Sequence, residues 1–320
     1  MPLTVPVVAT QAAQVVTVAA ASPGISGVIG RVESRLQGRR GTRILQPYYD
    51  LAKLFSKESL APEGASLLFL ATPFIAFAAY LSVPLLIPVL TSYPLPLGYM
   101  GDILGGGLIL ALGSFFTTLA PAETASPYAQ IGASRAKTFS ALAEPTLLLV
   151  FVAVATITAT DLPYALAKTV HGSGAQIVRP GHLLAAAALF CVILAETGRI
   201  PVEAHHSTGE LGFIDEGKPF EHSGPYYAFL SWGSHIKQMV LFVIFLDVFT
   251  LPWGLDGGYG LGALLLAIVI VLAKCAGLGV VVAVIDDNWA KLRLYKITEF
   301  LAAAFLLAVL AIFTLALGGG

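Results

Sequence analysis

The chain has 320 residues, 57% of them hydrophobic and only 12% charged, with a formal net charge of −1. A mean hydropathy of +0.82 is membrane-protein composition rather than that of a soluble core, and the near-neutral balance gives no electrostatic footprint for nucleic acid. The two cysteines, Cys191 and Cys275, stand singly in apolar runs without CxxC spacing. That speaks against a disulfide framework, a zinc site or a cysteine-held iron–sulfur cluster, so no metal or cofactor is expected in this chain and any redox centre must belong to a partner.

Apolar segments recur at the length needed to cross about 30 Å of hydrocarbon. They predict eight spans, at 5–29, 66–90, 102–120, 138–160, 182–198, 227–249, 261–285 and 297–317. The expected fold is an all-α membrane protein of about eight transmembrane helices, a single polytopic domain over 1–320 with long loops at 30–65 and 199–226. The first run has no positive region ahead of it and reads as a retained span rather than a cleaved signal. Pro73, Pro84, Pro88 and the run Gly105–Gly107 fall inside spans. Membrane helices tolerate this where neighbours satisfy the freed carbonyls. Of the 18 Lys and Arg, 14 lie in the odd-numbered loops and two in the even ones. The positive-inside rule then places the odd loops in the cytoplasm and both termini outside, in a cytoplasmic (inner) membrane. Tyr93, Tyr99, Trp253 and Tyr259 suit the interfacial belt.

The densest run of acidic residues lies between two spans, in LAETGRIPVEAHHSTGELGFIDEGKPFEHSG (194–224), which holds six of the 19 acidic residues: Glu196, Glu203, Glu210, Asp215, Glu216 and Glu221. Two readings stand side by side, a string of carboxylates leading into the membrane domain and a solvated loop face that docks a basic partner. Glu144 lies seven residues beyond Lys137, roughly 10 Å inside the span at 1.5 Å per residue. Pro145 after it frees the carbonyl of Ala141. An acid at that depth serves proton transfer, or is a neutral group bonded to a neighbouring helix. Glu196 closes span 5 with Arg199 three residues on, spaced for an ion pair on one helix face, and Ile200–Pro201 is expected to end the helix. Lys237 and Lys274 fall within spans. A snorkelling side chain accounts for Lys237, whereas Lys274 near mid-membrane calls for an intramembrane Glu partner. Asp247, near the outer end of span 6, is expected to reach the interface. Adjacent His205 and His206, with His222, carry no ligand spacing that supports a metal. In the first loop Arg35, Arg39, Arg40, Asp50 and Lys53 interleave with Leu45, Tyr48, Tyr49, Leu51, Leu54 and Phe55, the pattern of an amphipathic helix lying under a protein partner.

Five blocks, in order along nearly the whole chain, resemble a known family. RVESRLQGRRGTRILQPYYDLAKLFSKES (31–59) is similar to the first cytoplasmic loop of the membrane heel subunit of respiratory complex I. It is more similar to the related subunit of energy-converting nickel–iron (NiFe) hydrogenases and formate hydrogenlyases. IGASRAKTFSALAEPTLLLV (131–150), LAETGRIPVE (194–203), ELGFIDEGKPFEHSG (210–224) and DDNWAKLRLYKITEFL (286–301) resemble the following blocks. Pro201-Val202-Glu203 is closer to the hydrogenase branch than to the Pro-Phe-Asp of the complex I branch. The sequence departs from the hydrogenase pattern at Glu203-Ala204-His205-His206, where Asp-Asn-Pro follows Pro-Val in that branch, and at His222, where the branch has Tyr.

The resemblance implies a non-catalytic subunit of an oxidoreductase complex, an anchor beside a peripheral arm. The partners it implies are NiFe hydrogenase large and small subunits, iron–sulfur subunits with 4Fe-4S clusters, antiporter-like membrane subunits and the lipid bilayer. Glu144, Glu196, Glu210, Glu216 and Glu221 match the family's carboxylate path, and Arg199, Lys237 and Lys274 are the basic groups placed to couple with it. Arg35, Arg40, Asp50 and Lys53, with Arg135 in the third loop, match the surface that meets the arm. The expected function is to link redox chemistry in the arm to proton or sodium translocation. The alternatives are a complex I heel subunit forming a quinone chamber, an independent secondary transporter, whose inverted repeat is not evident in the sequence, and a purely structural anchor.

Overall fold

The computed structural model describes residues 5–62, 64–172, 179–198, 217–255, 260–288 and 296–318. Among them ten α-helices follow one another. They are α1 (Val5–Leu36), α2 (Gln46–Phe55), α3 (Leu67–Ser82), α4 (Ile103–Leu119) and α5 (Pro127–Thr158). After these come α6 (Pro163–Gly172), α7 (Pro180–Glu196), α8 (Gly224–Ile244), α9 (Leu261–Asn288) and α10 (Lys296–Gly318). A π-helix, Phe245–Thr250, continues α8. Seven of these helices are long and apolar enough to cross a membrane, and α7 is an apolar helix of 17 residues, at the short end of the crossing range. Every predicted span has its helix, and the chain is an integral membrane protein.

Helix ends differ from the predicted bounds where local chemistry overrides hydropathy. α5 starts at Pro127 rather than at 138, because proline is suited to the first helical position and nothing breaks the polar stretch that follows. The span predicted to reach 90 stops after the 3₁₀ turn Val83–Leu85, where Pro84 and Pro88 interrupt the ladder. The broken backbone is satisfied from α1. The Gln14 amide donates to the Ile87 carbonyl (3.0 Å) and accepts from the Leu90 N–H (3.2 Å). α7 ends at Glu196, ahead of the predicted Ile200–Pro201 boundary. Gly198 takes φ +65° there, and its N–H bonds back to the Ala195 carbonyl (3.2 Å) as a left-handed cap.

The helices pack in a continuous series. α9 lies on α1, α1 on α8, α8 on α3, α3 on α4, α4 on α5, and α5 joins α7 and α10 at the far side. Close approach depends on small residues, as is usual in membrane bundles. The Tyr80 ring fills the space a side chain at Gly113 would need, and Ile29 packs on Gly279. Phe151, Phe242, Phe249, Leu110 and Leu189 are fully buried in the resulting core. The outer faces of α9 and α10 keep Leu261, Leu265, Leu266, Leu306 and Phe313 exposed, the apolar surface a helix presents to lipid or to a membrane partner.

Candidate functional site

A charge cluster is built where α4, α5, α7 and α8 converge. Glu196 is the last residue of α7, so its carboxylate adds to the negative end of that helix's dipole. The compensating cation comes from α8. Lys237 pairs with the Glu196 carboxylate and donates a second hydrogen bond to the Ser114 hydroxyl of α4 (2.6 Å). Both charged side chains are nearly buried, at 13% and 11% exposure, so each would be costly without the other. The Lys237 ammonium also sits 5.6 Å from the centroid of the Tyr80 ring. Glu144, half-buried on α5, lies within electrostatic reach of both Glu196 and Lys237. Three of the residues expected to act in ion coupling are thereby brought together from three helices.

The cluster faces a cavity of about 300 Å³. Thr117, Thr118, Ser140, Ser231, Ser234 and Lys218 give it hydroxyls and a further cation. His222 closes one side, stacked on Phe69 with ring centroids 4.0 Å apart and 14° between planes. Burial holds its imidazole well below the usual histidine range, to about 4. On α8, His235 also lines the cavity, and its Nδ1 lies 2.8 Å from the Ser26 hydroxyl.

Several expectations change on this geometry. Among the described residues the partner of Glu196 is Lys237, 41 residues away in sequence; Arg199, which was expected to pair with it, lies outside the described residues, as do Glu203, His205, His206, Glu210, Asp215 and Glu216. Lys237 is anchored inward rather than snorkelling. Lys274 is paired as expected, but with Asp247 rather than a Glu. Asp247 therefore does not reach the interface: it is 1% exposed, inside the π-helical end of α8. The loop after it folds back, so that the Trp253 carbonyl accepts from Lys274 (3.0 Å) and the Trp253 ring lies 5.6 Å from the ammonium. Lys274 thus belongs to a second cluster, ten residues along α8 from Lys237, or ~15 Å at helical rise. Glu221 is half-buried in the turn beside His222, next to the cavity rather than in the cluster. Arg35 in the last turn of α1, Arg40 in the loop after it and Asp50 and Lys53 on α2 are exposed, and Arg135 is half-buried on the first part of α5; none of them enters the cluster.

The sequence reading passed over Ser114, Tyr80, His235 and the partnership of Asp247. The signal for His235 was present: three polar side chains, His235, Lys237 and Gln238, inside four residues of an apolar span. Ser114 and Tyr80 carried no such mark, because a hydroxyl or a phenol in a span is ordinary.

Comparison with known proteins gives a consistent set of relatives. A family model described as NADH dehydrogenase matches residues 9–317. Formate hydrogenlyase subunit 4 of Escherichia coli (strain K12) is 32% identical over 304 residues, covering 94% of this chain and 96% of that protein. Hydrogenase-4 component C of the same organism is 30% identical over 299 residues, covering 93% of each. Among solved structures, a chain of the membrane-bound sulfane sulfur reductase, an archaeal respiratory membrane complex, superposes with a TM-score of 0.82 over 96% of this chain and 99% of that one. At 21% identity it is a likeness of fold.

Proposed function

The chain belongs to the NADH dehydrogenase family, and we propose that within it this protein is the membrane anchor and ion-coupling subunit of an energy-converting NiFe hydrogenase or formate hydrogenlyase. The names and full-length similarity of the two Escherichia coli relatives support the hydrogenase branch. In this reading the chemistry that handles hydrogen or formate belongs to partner subunits carrying the nickel–iron centre and 4Fe-4S clusters. Antiporter-like subunits share the membrane arm. Asp50 and Lys53 on the exposed face of α2, with Arg35 at the end of α1 and Arg40 in the loop between them, dock the peripheral arm.

The observation that carries the coupling role is the Glu196–Lys237–Ser114 contact with Glu144 in its field. A proton arriving on Glu196 cancels the charge that holds Lys237. The released ammonium then stabilises the carboxylate of Glu144, from which a proton leaves along the membrane arm. A single cation shared by two acids lets a charge change at one be felt at the other without a large movement. Replacing Glu144 with Gln in the intact complex is expected to leave hydrogenase activity with a soluble electron carrier intact while ion transport into liposomes falls by about tenfold or more. Undiminished transport would remove Glu144 from the path.

The cavity supports a second reading, a quinone chamber of the complex I type, since about 300 Å³ is at the lower end of ligand-pocket volumes. Metal analysis of the purified complex separates the two: nickel with iron fits the hydrogenase, whereas iron and flavin with bound quinone fits the chamber.

A further inference from the structure

The outward side of α5 differs from that of the two helices flanking it. α4 turns Leu108, Leu112 and Phe115 outward, and α10 turns Leu306, Leu310 and Phe313 outward, side chains as apolar as the lipid tails they meet. On α5 the exposed residues between 132 and 155 are Ser134, Lys137, Thr138, Ala141 and Pro145. Gly107 of α4 packs on Leu148 and Phe151 of α5. The two helices run antiparallel from that contact, so Leu112 and Phe115 stand level with Glu144. The small and polar strip of α5 therefore reaches a depth at which its neighbour is bulky and apolar.

Two groups at this depth lack a partner. Pro145 has no N–H, so the Ala141 carbonyl loses its helical donor. Glu144 is half-exposed, and among the described residues it makes no hydrogen bond and no ion pair; the ammonium nearest to it, that of Lys237, is held by Glu196. At 100° per residue, Glu144 stands about 60° round the helix from exposed Ala141 and about 40° from Ser140. Ser140 lines the inner cavity and Glu144 does not, so Glu144 occupies the boundary between the cavity side and the outward strip. Lys137 shares the strip but lies roughly 10 Å from Glu144 toward the helix start, whereas the Ala141 carbonyl points toward the helix end.

An ionised carboxyl and a freed carbonyl are both acceptors, here one turn apart, and both are costly against hydrocarbon. A single cationic side chain with several N–H donors answers both. The absence of bulk at Ser134, Thr138 and Ala141, between the taller side chains of α4 and α10, lets another backbone come close. We propose that the outward face of α5 from Ser134 to Pro145 seats a transmembrane helix of a neighbouring subunit, and that this helix presents a Lys or Arg to Glu144 and the Ala141 carbonyl. The carboxyl then has a cation on each side, Lys237 within the chain and the partner's outside it. The proposal rests on the reading of this chain as one subunit of a membrane complex, and it names the partner of Glu144 there.

The test uses the intact complex in mild detergent. Ala141→Cys, carrying a cysteine-linked photocrosslinker, is expected to join a multi-pass membrane subunit. Mass spectrometry should place the link within about one helical turn of a Lys or Arg in a transmembrane helix of that subunit. Leu112→Cys serves as the lipid-facing reference, and the unsubstituted chain gives the background from Cys191 and Cys275. Crosslinks of Ala141→Cys to lipid or detergent alone, to a peripheral subunit, or to a helix without a basic residue in reach overturn the proposal. Ala141→Trp fills the seat and is expected to release most of that subunit on a native gel, while Leu112→Trp retains it; equal retention in both overturns the seat. Should the tryptophan variant not assemble, the cysteine crosslink decides. Glu144→Gln is measured beside them in liposomes. If it loses ion transport while Ala141→Cys meets only lipid, the seat fails and the coupling role stands; if it transports normally while the crosslink forms as expected, the coupling role fails and the seat stands.

Discussion

At the scale of single residues, His222 shows what burial against an aromatic ring does to a titratable group. Its ring is stacked on Phe69, and its pKa is held at about 4 against an ordinary 6.5. As pH falls, the unfolded chain takes up a proton at this position first, so stability is fully present above about 6.5 and drains away as pH approaches 4. At 1.36 kcal/mol per unit, the loss at pH 5 is about 2 kcal/mol. Thermal unfolding of the detergent-solubilised protein at pH 7.5 and 5 should show that difference, and His222→Phe, which keeps the stack and removes the titration, should reduce it. An equal drop in the variant would assign the acid sensitivity elsewhere. The charged residues of the spans were legible one at a time, because charge in an apolar run stands out. Their partners were not. Spacing offered Arg199 as a partner for Glu196, three positions along the chain, but no spacing marks the described pair with Lys237, which joins α7 to α8. Asp247 misled for a related reason. Depth was read from distance to the end of a span, and the loop 251–254 folds back over it, burying a residue that counting placed at the surface.

Among the elements, α1 and α2 depend on each other through a deliberate break in a helix. Pro23 has no N–H, so the Ala19 carbonyl lacks its helical donor and takes one from the Trp232 indole of α8 instead (2.8 Å). One position on, the Gly24 N–H donates to the Tyr48 hydroxyl (3.1 Å), which in turn donates to the Ala20 carbonyl (2.6 Å). The phenol of α2 thus stands inside the ladder of α1. Just beyond it, a side chain at Gly27 would fall 1.9 Å from the Ile44 carbonyl, so that α1 runs hard against the approach to α2. Tyr48→Phe removes both bonds and leaves the Gly24 N–H and the Ala20 carbonyl without them, a loss of about 1–3 kcal/mol at roughly 0.5–1.5 kcal/mol per bond. The expected result is faster hydrogen exchange over 46–55 with the remaining helices unaffected; unchanged protection there would show that apolar contacts alone hold α2. The existence of α2 was legible from the alternation of its apolar and charged residues. The π-helical end of α8 was not, since no periodicity marks a single wide turn.

Across the whole molecule, α8 is the shared spine of two buried ion pairs, Glu196–Lys237 and Asp247–Lys274, each tying it to a different neighbour. The order of eight helices was legible because each must hide its backbone from lipid, which leaves a hydropathy signature. The arrangement that makes one helix carry both pairs was not, because it follows from packing between distant segments. The pairs have no described partner in common, and their members on α8 are ~15 Å apart at helical rise. Sites so placed are energetically independent unless a rigid element couples them. Breaking either pair by Lys237→Met or Lys274→Met strands a buried carboxylate and should cost about 3–5 kcal/mol, and removing the acid as well, in Glu196→Gln/Lys237→Met or Asp247→Asn/Lys274→Met, should recover much of it. With both pairs removed together, the two double-variant effects should add to within about 0.5 kcal/mol, as read from denaturant or thermal unfolding in detergent. A larger departure would mean that α8 transmits strain from one end of the bundle to the other. The Asp247–Lys274 pair would then be part of the coupling machinery rather than a clasp that holds α9 to the end of α8.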